Sequence, residues 1–190
     1  MFKILLIYLF FLFFIFTKNI QSKNLGSVTG YDIPRFVSLK SNEINLRIGS
    51  STNYPILLQY TIKDMPIEII EEYDVWRKTK DIEGNEGWIH KNLLKGDRFG
   101  LIIKKNKKSA IIYSKPSGLS IGEIGSLNIV KIKSCLIDWC KINYKKNSGW
   151  ISKKNLWGVY NDELINVPFY QFILNKIWQI NFNFINKNIN

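Results

Sequence analysis

The chain has 190 residues, 46% of them apolar, and a formal charge of +12. That length buries one ordinary core or two small ones. A single histidine, His90, leaves any histidine-based metal site or Ser-His-Asp arrangement resting on that residue alone.

Met1-Phe2-Lys3 is followed by an unbroken apolar run over residues 4–16. This is the length of a signal-peptide hydrophobic region and too short for a comfortable membrane span. A signal peptide is expected over residues 1–22. Ile20-Gln21-Ser22 is a poor small-x-small site, so cleavage and an uncleaved anchor both stay open. No cysteine follows the run, which argues against a lipoprotein. The chain therefore reads as exported, to the periplasm or the cell envelope. Losing Lys3 and Lys18 with the leader takes the charge to about +10. AT-rich coding for lysine, asparagine, isoleucine and phenylalanine accounts for that basicity as readily as an anion-binding surface does. Export removes most nucleic-acid partners, and none is expected. Membrane contact is expected only through an uncleaved leader or the C-terminal tail.

Residues 23–35 form a lead-in. Phe36-Val37-Ser38-Leu39 and Ile44-Asn45-Leu46-Arg47-Ile48 then alternate with period two, as half-buried strands do. A loop over Gly49 to Pro55 leads into a strand from Ile56 to Ile62. The segments from Ile67 to Tyr73 and from Val75 to Lys80 pair as a hairpin. The turn from Asp81 to Gly87 delivers Trp88-Ile89-His90 as a closing strand.

This order of parts then recurs. Gly87-Trp88-Ile89 returns as Gly149-Trp150-Ile151, and Trp76 returns as Trp139. Trp76 and Trp139 are 63 residues apart, Trp88 and Trp150 are 62 apart, and such a period marks a repeated unit. The fold class is all-β: two tandem small barrels over residues 36–95 and 101–158, with a C-terminal tail over 159–190. Phe169, Phe172, Ile173, Ile177, Ile180 and Phe184 recur at helical spacing, so the tail is helical or loose. The run Lys104-Lys105-Asn106-Lys107-Lys108 between the units reads as a solvated turn.

No catalytic constellation stands out. Cys135 and Cys140 have no nearby histidine, and alternation sends Glu71 and Glu72 to opposite faces of one strand. Asp81, Glu83, Asn85 and Glu86 are turn chemistry without calcium-loop spacing. Neither an enzyme, a metal nor a cofactor is expected. The two cysteines flank Leu136-Ile137-Asp138-Trp139 within a hairpin. In an oxidising compartment each has only the other, so a Cys135–Cys140 disulfide is expected.

Asn45-Leu46-Arg47-Ile48-Gly49, Tyr54-Pro55, Trp76-Arg77-Lys78 and Gly87-Trp88-Ile89 together resemble the bacterial SH3-like (SH3b) domain. Two copies behind a signal peptide, ending in Leu156-Trp157-Gly158-Val159-Tyr160, are similar to a family of exported proteobacterial proteins of unassigned function. The first copy departs in having Ser50 where a proline usually follows the glycine. The second has Tyr113 and Lys115 where the arginine and glycine would stand. The resemblance implies five- or six-stranded, partly open barrels that bind peptides or cell-wall fragments. Tyr54, Tyr60, Tyr73, Trp76 and Trp88 are the aromatic residues on or beside the loops. Arg47, Tyr54 and a half-exposed Trp76 are the expected ligand-binding residues, whereas Trp88 and Trp150 are expected to plug the two barrels. The function that follows is a binding module for peptidoglycan peptides or a protein tail. The alternative is a structural adaptor or a regulatory subunit of a cell-wall enzyme, its tail docked on a partner.

Overall fold

The computed structural model describes residues 24–103 and 109–167. The leader, the lysine run at 104–108 and the tail from residue 168 onward lie outside the described residues.

Among the described residues fourteen strands follow one another: β1 Arg35–Leu39, β2 Ile44–Arg47, β3 Ile56–Tyr60, β4 Pro66–Tyr73, β5 Trp76–Lys80, β6 Glu86–His90, β7 Leu94–Lys95, β8 Phe99–Ile102, β9 Ser109–Tyr113, β10 Ser120–Gly125, β11 Ile129–Cys135, β12 Trp139–Tyr144, β13 Asn147–Ser152 and β14 Leu156–Trp157. They form two antiparallel seven-stranded sheets, ordered β3-β2-β6-β5-β4-β1-β7 and β10-β9-β13-β12-β11-β8-β14. Adding seven to each label in the first order gives the second. Each sheet has seven strands rather than five or six, because a single 3-10 turn, Lys91–Leu93 or Lys153–Asn155, carries the chain into a two-residue strand. β7 pairs with β1, and β14 pairs with β8. Strands this short have no periodicity to read in the sequence.

Each sheet curls around its own core. Leu39, Ile44, Leu46, Tyr60, Ile67 and Ile89 pack together in the first. In the second, the cluster includes Ile102, Val130, Ile132, Ile142, Ile151 and Leu156. Period-two alternation accounts for both sets: β2 is buried at Ile44 and Leu46, with Asn45 and Arg47 between them only partly covered. Glu71 is exposed and Glu72 buried on the same strand, as alternation requires.

The chain ahead of β1 closes one end of the first sheet around Glu72. The Glu72 carboxylate accepts hydrogen bonds from Arg35 Nη2 (2.6 Å), Thr29 Oγ1 (2.7 Å) and the backbone N–H groups of Thr29 (2.8 Å) and Val28 (3.0 Å). Arg77 lies 3.5 Å away on the neighbouring strand. Burial alone would push this carboxyl up. The Arg35, Thr29 and Val28 donors outweigh it and bring the pKa down to about 2.

Candidate functional site

The Gly-Trp-Ile motif sits on β6 with Gly87 and Ile89 turned inward and Trp88 outward. A Cβ on Gly87 would come within 2.6 Å of Leu46 Cγ and 2.7 Å of the Arg47 carbonyl oxygen. Only glycine lets β6 approach β2 this closely. At Gly149 the same Cβ would meet Ile112 Cγ2 at 2.3 Å. The expectation that Trp88 and Trp150 plug the barrels is therefore corrected. Ile89 and Ile151, both 0% exposed, fill those places, and the two tryptophans are half-buried on the outer face.

Trp76 is corrected in the opposite sense: it is 9% exposed rather than half-exposed. Arg77 and Thr79 face inward on β5, so Trp76 faces outward between its register partners Tyr73 and His90. Its ring meets the His90 ring edge-on, with centroids 5.5 Å apart. His90 also caps the following 3-10 turn, its Nδ1 accepting from the Asn92 N–H at 3.3 Å.

The outer face that results is aromatic and partly open. Trp88 stands opposite Arg47 on one side and Lys78 on the other. The Tyr73 ring lies 6.5 Å from Trp88 in a T-shaped arrangement, and Tyr73 is 61% exposed. Arg47 Nη1 donates to the Tyr54 carbonyl at 2.7 Å. The Tyr54 ring, 47% exposed, lies against Gly49, where a Cβ would be 2.5 Å from it. The structure thus brings Arg47 and Tyr54 together and adds Trp88 and Tyr73 beside them, with Trp76 buried between Tyr73 and His90. Such rings offer flat contact area with little rotamer entropy to lose.

Tyr60 takes no part in this face. It is buried and donates its hydroxyl to Asp81 Oδ2 at 3.0 Å; burial pushes its pKa up, and the Asp81 carboxylate pushes it further. Asp81 Oδ1 accepts the N–H groups of Glu83 and Asn85, both at 2.9 Å, so the acidic turn bonds within itself.

The second sheet keeps an aromatic outer face without the arginine. Tyr113 occupies the place of Arg47 opposite Trp150, and the Tyr113 and Trp139 rings meet edge-on with centroids 5.2 Å apart. Cys135 and Cys140 are register partners on β11 and β12 and are disulfide-bonded, with both residues fully buried.

Residues 40–96 and 128–158 match the bacterial SH3 domain family. The two matched stretches are similar to the bacterial SH3 domain. The matched stretches take in β2 to β7 of the first sheet and β11 to β14 of the second, including both Gly-Trp-Ile motifs. Among curated proteins no similar sequence was found. Among solved structures, NlpC1 from Trichomonas vaginalis is similar to this chain at 19% identity and a TM-score of 0.29. That similarity covers 70% of this chain and 48% of the other, so the chain spans about half of that protein's length.

Proposed function

We propose that this protein is a non-catalytic binding module of the periplasm or cell envelope that recognises peptidoglycan peptides or an extended protein tail. The observation carrying this reading is the open face of Arg47, Tyr54, Tyr73 and Trp88 on the first sheet. Two half-covered or exposed tyrosines and a tryptophan beside a guanidinium suit weak stacking on an extended chain with acidic groups. Trp76 supports that face from beneath rather than touching the ligand. Delivery to the envelope would rest on the leader over residues 1–22. Among the described residues no helix is long and apolar enough to cross a membrane. Retention of residues 23–190 on purified peptidoglycan in low salt tests the reading, and a chain that washes through defeats it.

The second reading, a structural adaptor or a regulatory subunit of a cell-wall enzyme, is favoured by one observation. Phe36 of β1 is buried but belongs to neither core. It packs on Trp157 of β14 and on Tyr160 just beyond that strand, ring centroids 5.0 and 4.7 Å away. A scaffold that presents partners at a fixed spacing needs such a junction.

A further inference from the structure

The second sheet has three inward side chains cut back from their size in the first. Arg47 stands opposite Trp88 and Tyr113 opposite Trp150, which fixes how the two sheets correspond. In the first sheet Ile44 pairs with Tyr60 and Leu46 with Leu58, and all four pack in or on its core. At the same places in the second, Ala110 pairs with Ile124 and Ile112 with Gly122. Alanine thus stands for isoleucine, isoleucine for tyrosine and glycine for leucine. A Cβ built on Gly122 would meet nothing within 4 Å.

Interiors are close-packed, so losses of this kind leave a hole unless neighbours move in. Here they leave a cavity of about 550 Å³ between β10 and the β12–β13 hairpin. That is the size range of small-ligand sites. Ile112, Ile124 and Ile142, all buried, form its floor. Ile121, the extra residue of the bulge in β10, forms a wall and reaches toward β13. A Cβ on Gly149 would lie 3.3 Å from its Cδ1. The Tyr144 ring completes the lining, with its hydroxyl donated to Asn128 Oδ1 at 2.7 Å.

Charge at the rim is one-sided. Glu123 pairs with Ile111 and bonds the Ser109 hydroxyl, and burial of Ala110 and Ile112 puts Ser109 and Ile111 on the outer face. Its carboxylate therefore faces away from the floor. Lys145, at the hairpin tip, is the other charge of the lining, its ammonium 5.4 Å from the Tyr144 ring centroid. A peptide in this place would leave its amide groups against isoleucine without partners. An unbranched acyl chain has no such groups, and a carboxylate at its end meets Lys145.

We propose that this cavity binds a fatty acid, with its acyl chain on the isoleucine floor and its carboxylate at Lys145. The site is independent of the outer face of the first sheet, since it lies in the other sheet and on the inner side of the strands.

The test is a titration of the full chain, labelled with 15N, with octanoate, butanoate and octanol. Octanoate should move the amide signals of residues 121–124 and 142–149 saturably. Butanoate should bind at least about tenfold more weakly, because four methylenes leave the floor. Octanol should bind about threefold more weakly than octanoate, the worth of one rim ion pair. Lys145→Asn, which suits the left-handed backbone there (φ 54°), should bring octanoate down to the level of octanol. Ile124→Phe sets a ring where Tyr60 stands in the first sheet, and should abolish the shifts while the remaining spectrum stays folded. Octanoate that binds no better than octanol, or is unaffected by Lys145→Asn, would overturn the carboxylate assignment. Shifts that are absent, fall elsewhere, ignore chain length or survive Ile124→Phe in a folded spectrum would overturn the site.

Discussion

Tyr160, just beyond the second sheet, donates its hydroxyl to Glu68 on β4 of the first, at 2.7 Å. The bond sits at the edge of the junction made by Phe36, Trp157 and Tyr160. Burial pushes the Tyr160 pKa up, and the Glu68 carboxylate adds to the shift. Arg98 ties the same region from the connecting segment. It pairs with Glu163 and donates to the Gly158 carbonyl at 2.8 Å, while its guanidinium lies 6.0 Å from the Phe36 ring. Gly158 itself has φ +106°, and a Cβ there would lie 2.6 Å from the Phe99 carbonyl oxygen.

This junction predicts shared unfolding. Phe36→Ala should cost about 3–5 kcal/mol, the usual range for a buried aromatic. It should also split a single calorimetric transition into two. Tyr160→Phe, losing one hydrogen bond, should cost only about 1 kcal/mol and leave one transition. Two transitions in the unmodified chain would show that the junction does not couple the sheets.

The two tryptophans of the first sheet should behave in opposite ways. Trp76→Ala, at a buried position, should cost about 3–5 kcal/mol. Trp88→Ala, at a half-buried position, should cost clearly less and abolish peptidoglycan retention. Denaturant melts of both variants, alongside retention assays, measure this. A Trp88 variant that unfolds before Trp76→Ala does would return Trp88 to the core.

That pair also shows what the sequence could and could not disclose. The strands of the first sheet were legible because Ile44 and Leu46 alternate cleanly between polar neighbours. Alternation also fixes Trp88 on the face opposite Ile89, yet size alone points a tryptophan toward the core. Trp76 faces outward as the pattern of β5 requires, but its burial comes from Tyr73 and His90 on neighbouring strands. Partners brought by register leave no local signal.

Glu72 sets an acid limit. Its pKa is about 2 in the folded chain against the ordinary 4.5, so the unfolded chain binds the proton more tightly. The carboxylate therefore contributes stability that is fully present above about pH 4.5 and is lost as pH falls toward 2, about 3 kcal/mol in all. Melting temperatures measured from pH 6 to pH 2 should fall through that window. Glu72→Gln should start lower and vary less across it. Parallel curves for the two proteins would contradict the assignment.

The disulfide closes a short loop, with its cysteines five positions apart. Reduction should therefore cost less than the roughly 3 kcal/mol expected for a 15-residue loop. Mass spectrometry of the unreduced protein should show two hydrogens fewer than the reduced form, with no alkylatable thiol before unfolding. Two free thiols would contradict the bond.

The most direct test of the outer face as a ligand surface is retention of Tyr73→Ala on purified peptidoglycan, beside the unmodified chain. Tyr73 is the most exposed ring of that face, so its removal should leave the melting temperature nearly unchanged. The account predicts that the unmodified chain is retained in low salt and that Tyr73→Ala elutes with most of its retention lost. Equal retention of a folded Tyr73→Ala chain would contradict it.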